Sequence, residues 1–185
     1  SRWFEGKRPF NKETKKNWKT ISKAVTFPKD KSWKDYVQAN RLEICCGEAP
    51  YLTSRYDATT GAEIPVNERV GIFDRKLRIV SENTEHVQDW TDYSLQALKS
   101  IFGFEKSGDN LLIARLNIFM SFIEHFQQRF NKHPAKNVLT KVAIITSWNI
   151  WLMDSMDERS INQAVLMDWD KKKIIPFKSL LQNLP

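Results

Sequence analysis

At 185 residues with 41% hydrophobic content, the chain can bury one core and is expected to form one main domain. No apolar run approaches the ~18 residues of a bilayer-spanning helix, which excludes that class and leaves no membrane partner expected. The net charge of +7 points to acidic partners, while two adjacent cysteines, Cys45 and Cys46, exclude a disulfide framework and favour a reducing, cytoplasmic setting. The first 34 residues hold eleven Lys and Arg against three acids, so the rest of the chain is close to neutral. This segment carries no secretory apolar region and reads as an internal start. Trp3, Phe4, Phe10, Trp18, Phe27 and Trp33 interleave with its charges. Lys7, Arg8, Lys15, Lys16, Lys19 and Lys23 are candidate contacts to nucleic-acid phosphates, and the aromatic faces could stack on bases. The competing reading is a surface arm whose aromatics pin it to the core. Pro9 and Pro28 break the arm, leaving space for one short helix.

Ser32 is a cap for a short helix over 33–40, which leads into a strand over 41–46. Residues 53–65 are turn-rich and read as a loop. From Pro65 onward, Val66, Val70, Phe73, Leu77 and Val80 recur at helical spacing, and a second helix is expected over 87–99 through Trp90, Leu95 and Leu98. A short apolar strand over 100–105 precedes a polar turn. A long helix then starts at Gly108 or Asp109 and runs to about 131, with Leu112, Leu116, Phe119, Ile123 and Phe126 on one face. The segment from Pro134 to about 154 reads as another helix through Val142, Ile145, Trp148 and Trp151. Strand, turn, strand and a short amphipathic tail complete the chain. Strands separated by helices indicate an α/β layered fold, rich in helix. The expected organisation is a basic arm over 1–34 and one α/β domain over 35–185, with 65–99 as a helical insertion. The three histidines, His86, His125 and His133, are scattered, so a zinc site is not expected.

Two segments carry the chemistry. In RLEICCGEAPYL, residues 41–52, an acid lies in a strand that ends in a glycine turn, where backbone can approach a cofactor closely. In FGFEKSGDNLLIARLN, residues 102–117, Glu105 ends a second strand. A carboxylate in that position can accept both hydroxyls of a ribose. Asp168 ends a third apolar run, VLMD, although acids often end strands and a surface role is equally simple. Cys45 and Cys46 have no paired histidine and read as small apolar packing. The tryptophan-rich SWNIWLMD reads as core, with a docking stripe as its rival.

The first segment resembles the cofactor loop of adenine-amino DNA methyltransferases, whose pattern is roughly acid-x-x-Cys-Gly-x-Gly-x-Phe-Leu. Glu43, Cys46, Gly47, Ala49 and Tyr51 occupy its positions. The second resembles that family's Gly-Val-Glu and Ala-Arg-x-Asn motif, with Gly103, Glu105, Ala114, Arg115 and Asn117 in order. With TFPKDKSWKDYV, GIFDRKLRIVSENT and SWNIWLMD, the chain is similar over most of 24–180 to bacterial restriction–modification methylases labelled restriction endonuclease subunit M. The resemblance implies a partial Rossmann-like core that binds S-adenosylmethionine for methyl transfer to adenine in DNA. It assigns Glu43, Cys46, Gly47, Ala49, Tyr51, Glu105 and Asp168 to the cofactor, Asp168 through the adenine amino group. DNA and other restriction–modification subunits are the implied partners.

The departures narrow that expectation. Ala49-Pro50 replaces a small-residue turn that usually has a second glycine, and Pro50 removes a donor. About sixty residues separate Glu43 from Glu105, which requires the helices of 65–99 to be inserted. No Asn-Pro-Pro-Tyr or Asp-Pro-Pro-Tyr occurs, so the chain is expected to be a fragment or a member that has lost catalysis, inactive alone, with no catalytic residue of its own. Two other functions compete. A non-catalytic DNA-binding or subunit-docking module would use the basic arm. A PD-(D/E)xK nuclease would use Asp74 and Lys76 with Asp57 or Glu63 around Mg²⁺. Asp74-Arg75-Lys76 falls on a helical pattern, however, and is expected to be a solvated helix face.

Overall fold

A computed structural model describes residues 10–12, 18–20, 23–57 and 59–181. Lys7, Arg8, Lys15 and Lys16 therefore lie outside the described residues. Where the arm is described it forms a hairpin, β1 (Phe10–Lys12) paired antiparallel with β2 (Trp18–Thr20). Lys19 lies on β2, opposite Asn11. The end of the arm belongs to the domain. Val25, Phe27 and Trp33 pack against the core, the Val25 N–H donates to Glu82 Oε2 at 2.9 Å, and Arg78 Nη2 donates to the Lys23 carbonyl at 3.0 Å.

The expected cap starts α1 (Trp33–Gln38). Ser32 Oγ accepts from the Lys34 N–H at 3.1 Å, and Asp35 accepts from the Ser32 N–H at 3.1 Å, a reciprocal box that settles two otherwise orphan donors. The strand β3 (Arg41–Ile44) follows. After a long loop come α2 (Ile72–Asn83), α3 (Val87–Lys99) and β4 (Ile101–Glu105). Then α4 (Gly108–Phe130) and α5 (Lys136–Asn149) lead to β5 (Ile150–Leu152). β3, β4 and β5 form a parallel sheet in that order, with Leu42 beside Phe102 and Phe104 beside Trp151. This is an α/β arrangement. The helices of 65–99 form the β3–β4 crossover and bury Phe73, Leu77, Val80, Trp90 and Leu98 in the main core. Trp90 meets Phe122, Phe126 and Phe130 edge-on, with centroids 5.3, 5.4 and 6.0 Å away.

The helix expected over 134–154 stops at Asn149, and its last residues become β5. Asn149 Nδ2 donates to the Leu98 and Ile101 carbonyls at 3.0 and 2.9 Å, fixing the break at the start of the sheet. Ile150 and Trp151 then suit a pleated strand better than another helical turn. Met153 N–H donates to the Glu105 carbonyl, so the backbone of Ile150 points away from β4. Arg115 takes that outward Ile150 carbonyl with Nε and Nη2 at 3.0 and 2.8 Å, capping the sheet edge.

The other sheet face is covered by α6 (Glu158–Gln163), the hairpin β6 (Val165–Asp168) and β7 (Lys173–Pro176), and α7 (Phe177–Leu181). Phe104, Met153, Ala164, Leu166 and Phe177 form this second core, which Trp151 joins. The cover stops short of β3, where Leu42 and Ile44 remain 40% and 51% exposed.

The buried face of α4 is also displaced from expectation. Leu111, Ala114, Ile118, Phe122 and Phe126 face inward, whereas Leu112 and Leu116 face out. Both sets have helical spacing, and only packing against Trp90 selects between them.

The Asp74-Arg75-Lys76 segment does not ride a solvated face. Asp74 and Lys76 are each 1% exposed. Asp74 accepts from the Ser54 N–H at 2.8 Å and Ser121 Oγ at 3.2 Å, and its Oδ1 lies 3.1 Å from His125 Nε2. Lys76 Nζ donates to the Ala39 carbonyl at 2.7 Å and to Ser100 Oγ. Two residues apart on a helix, these side chains point in opposite directions and serve different buried partners. Among the described residues they do not form a common ion site with Asp57, which caps its own turn through the Thr59 and Thr60 N–H groups. Glu63 instead reaches Arg69 Nη2 at 3.5 Å. No helix among the described residues is long and apolar enough to cross a membrane.

Candidate functional site

The carboxyl ends of the three parallel strands bring the first two sequence segments together, which is where ligands settle in open α/β sheets. Parallel pairing puts Glu43 beside Gly103 and Ile44 beside Phe104, and the Cys46 N–H continues the ladder to the Phe104 carbonyl at 2.8 Å. The chain then turns through three left-handed residues in alternation. Cys45 has φ +58°, Gly47 φ +54° and Ala49 φ +64°. Such a conformation costs a non-glycine residue about 1–2 kcal/mol, and here it is repaid by hydrogen bonds within the protein: besides Cys46, the Gly47 N–H goes to Glu105 and the Ala49 N–H to the Cys46 carbonyl at 2.7 Å. At Gly47 the backbone takes this shape without that cost, and an added Cβ would meet no heavy atom within 4 Å.

Glu105 ties the two strand ends together. Its Oε2 accepts from the Gly47 N–H at 2.8 Å, and its Oε1 accepts from the Ser107 N–H at 2.9 Å. The Ser107 and Gly47 N–H groups hold this carboxyl below its ordinary value against the opposing effect of burial. A carboxylate has about four acceptor positions, and the Asn110 side chain and the Lys106 N–H also bear on this one, so a further donor would have to displace one of them. Ser107 Oγ also accepts from the Asn110 N–H and starts α4, a role the sequence pattern placed on residues 108 or 109.

Glu43 stands at the base of the loop. Its Oε2 is buried without a hydrogen-bond donor, and burial pushes its carboxyl up to about 7, against a smaller lowering by the Leu52 N–H. Cys46 is 1% exposed and packs inward, its thiol pushed up to about 12 by burial and then by the Glu43 and Glu105 charges. Ala49 is fully buried. Cys46 and Ala49 thus shape the loop and can meet a ligand only through backbone. Tyr51 is the opposite case: its side chain is 75% exposed. Cys45 Sγ lies 2.9 Å from Ser155 Oγ, which brings the loop after β5 to the same rim.

A further set of side chains holds the loop from behind. Asn117 Nδ2 donates to the Glu48 carbonyl at 3.0 Å, and Asn117 Oδ1 accepts from Arg55 Nη1 at 3.1 Å. Glu124 accepts from Arg55 Nε at 3.1 Å and also pairs with Arg69. Arg69 is 3% exposed, and its Nε donates to the Ile64 carbonyl at 2.9 Å. Residues 53–65 are therefore a loop anchored to α4. The Ala-Arg-x-Asn pattern pointed to Asn117, but no spacing in the sequence announced the Arg55–Glu124–Arg69 cluster.

Asp168 is not brought to this site. Its Oδ1 accepts from the Asp170 and Lys171 N–H groups at 3.2 and 3.0 Å, closing the β6–β7 turn. Its neighbour Trp169 donates from Nε1 to Asn149 Oδ1 at 2.8 Å, at the amino end of β5. The loop of residues 45–49 sits at the carboxyl ends of the same sheet. The pairing of β6 with β7, rather than with the parallel strands, accounts for this displacement. Lys23 is exposed and lies at the domain boundary, away from the two motif segments in sequence.

No family model, curated protein or solved structure matches this chain.

Proposed function

We propose that the carboxyl ends of β3 and β4 form an S-adenosylmethionine site, and that the chain is the cofactor-binding part of a DNA adenine methyltransferase of a restriction–modification system. The observation that carries this reading is Glu105 bonded to the Gly47 N–H across two adjacent parallel strands. An acid ending one strand and a left-handed glycine loop ending its neighbour are the two elements an adenosine-containing cofactor requires.

The residues present fit such a group in three respects. Glu105 offers ribose hydroxyls the acceptor position that the Asn110 side chain otherwise takes, Glu43 holds a buried oxygen that lacks a donor, and Tyr51 presents an exposed aromatic surface. Gly47 leaves its side open to a ligand. When bound, the cofactor supplies an electrophilic methyl group. The chain's own task is to orient it: Glu105 accepts the hydroxyls, the 45–49 backbone approaches the polar end, and Asn117 and Glu124 keep the loop in place. Asp168 has no part in this reading. Lys7, Arg8, Lys15, Lys16, Lys19 and Lys23 are proposed to contact DNA phosphates, with other subunits of the system as further partners. No residue here is assigned to the target base, since the chain lacks the Pro-Pro-Tyr grip.

Isothermal titration with S-adenosylmethionine and S-adenosylhomocysteine tests the site. Saturable binding is expected, and Glu105→Gln should weaken it at least about tenfold, the loss of one hydrogen bond to a charged group. A flat titration at millimolar ligand with folded protein would remove the proposal.

A further inference from the structure

The parallel sheet has two edges, and they are treated differently. At β5 the guanidinium of Arg115 takes the outward Ile150 carbonyl. β3 is the other edge and pairs with β4 alone among the described residues. That pairing fixes which way each of its peptides faces. Arg41 stands beside Ile101 and donates its N–H to the Ser100 carbonyl at 2.8 Å, and Glu43 stands beside Gly103. Arg41 and Glu43 therefore direct their backbone groups to β4, whereas the N–H and carbonyl groups of Leu42 and Ile44 point away from the sheet. Among the described residues these outward groups have no backbone partner.

The side chains of the same two residues are 40% and 51% exposed, on the sheet face where the second core stops short. β3 contains neither lysine nor proline to discourage pairing. Open backbone beside exposed apolar side chains is a template for another strand.

The residues of β3 identify that strand. A second β3, antiparallel across a two-fold axis, meets the outward groups with its own only when Leu42 and Ile44 face residues of the same outward set. Centring the axis on Glu43 satisfies this rule but sets two glutamates directly opposite, which is unfavourable. Centring it on Leu42 sets Leu42 against Leu42 in a hydrogen-bonded pair and Arg41 against Glu43 in the flanking pairs, where side chains lie closest. Arg41 and Glu43 share one sheet face and are both partly exposed. Arg41 Nη1 donates to the Asn40 carbonyl at 2.7 Å, so the guanidinium lies along this edge. Beyond residue 34 the chain is close to neutral, so net charge on the domain does not oppose a second copy.

We propose that β3 pairs antiparallel with β3 of a second copy about a two-fold axis at Leu42, with Arg41 of each copy facing Glu43 of the other. The two three-stranded sheets then become one continuous sheet. The interface adjoins the loop of residues 45–49, and the pairing does not depend on a ligand there.

Sedimentation equilibrium of the full chain over a range of concentrations tests the pairing, and a monomer–dimer equilibrium is expected. Leu42→Pro removes one outward N–H and leaves the bonds of Arg41 and Glu43 to β4, a place where an edge strand accepts proline. It should abolish the dimer, and Ile44→Lys, at an exposed position, should weaken it at least tenfold. Circular dichroism and melting temperature establish that these variants stay folded. Arg41→Glu and Glu43→Arg should each weaken the dimer at least tenfold, and the two together on one chain should restore it. Only a self-complementary Arg41–Glu43 register predicts that rescue. If the charge variants fail to fold, Leu42→Pro and Ile44→Lys decide the matter. A chain that stays monomeric at millimolar concentration, a dimer indifferent to Leu42→Pro and Ile44→Lys, or a folded double swap that remains dissociated would overturn the proposal.

Discussion

Replacing Gly71 with alanine would put a methyl group 2.5 Å from Asp74 Oδ2, 2.6 Å from the Thr53 Cα and 2.7 Å from the Leu52 carbonyl oxygen. Ordinary carbon contacts lie at about 3.5–4.0 Å, so roughly 1 Å of movement is needed. Two of the three obstructing atoms are backbone and cannot rotate away. The Leu52 carbonyl also accepts from the Phe73 N–H at 2.7 Å, and Asp74 holds the Ser54 N–H. Moving the loop therefore strains the start of α2 and a buried carboxylate together. Overpacking costs about 1–3 kcal/mol and occasionally more, and this site belongs near the upper end, at about 3 kcal/mol. For a chain of this size that lowers Tm by roughly 6–12 °C. Gly108→Ala is the internal control: it starts α4, and an added Cβ would meet nothing within 4 Å. Its loss of unfolded-state freedom should stabilise by about 0.4–1 kcal/mol. Urea unfolding followed by tryptophan fluorescence measures both, with unchanged m-values as the two-state check. A loss under about 1 kcal/mol for Gly71→Ala would refute the close-packing account, since it falls below the overpacking range.

Three other outcomes follow from the buried charges and the arm. Glu43 is raised from 4.5 to about 7, so the native state holds a proton that the unfolded chain has released between those values. Stability should fall as pH rises through that window, and Glu43→Gln should flatten the dependence; an unchanged slope would mean another group is responsible. Lys76 is depressed well below 10.5 by burial and then by the Arg41 charge, so in the window below 10.5 the unfolded chain binds the extra proton. Stability should rise with pH there and lose that rise in Lys76→Met, as read by denaturant titration at several pH values. Removing residues 1–22 takes away seven Lys and Arg while keeping Val25, Phe27 and Trp33 on the core. DNA affinity should drop, and its salt dependence should become shallower by about 0.9 logarithmic units per lost phosphate contact; equal binding before and after would exclude the arm.

Local chemistry made much of the chain readable. Ser32 and Asp35 marked α1, alternating apolar steps marked α2 and α3, and short apolar runs marked β3, β4 and the β6–β7 hairpin. Those signals depend on neighbours within a few residues, so the sequence by itself determined them. The two motif segments also mark Glu43, Gly47 and Glu105 as one chemical set. Tertiary structure decided what local pattern leaves degenerate. It chose which apolar stripe of α4 faces Trp90, cut the predicted helix at Asn149 to supply β5, and turned Asp74 and Lys76 inward to partners far along the chain. It also set Asp168 at the wrong end of the sheet for a site with Glu105. The physical reason is common to all four. Burial and hydrogen-bond satisfaction are settled by groups dozens of residues apart, and their positions exist only once the helices and strands have packed.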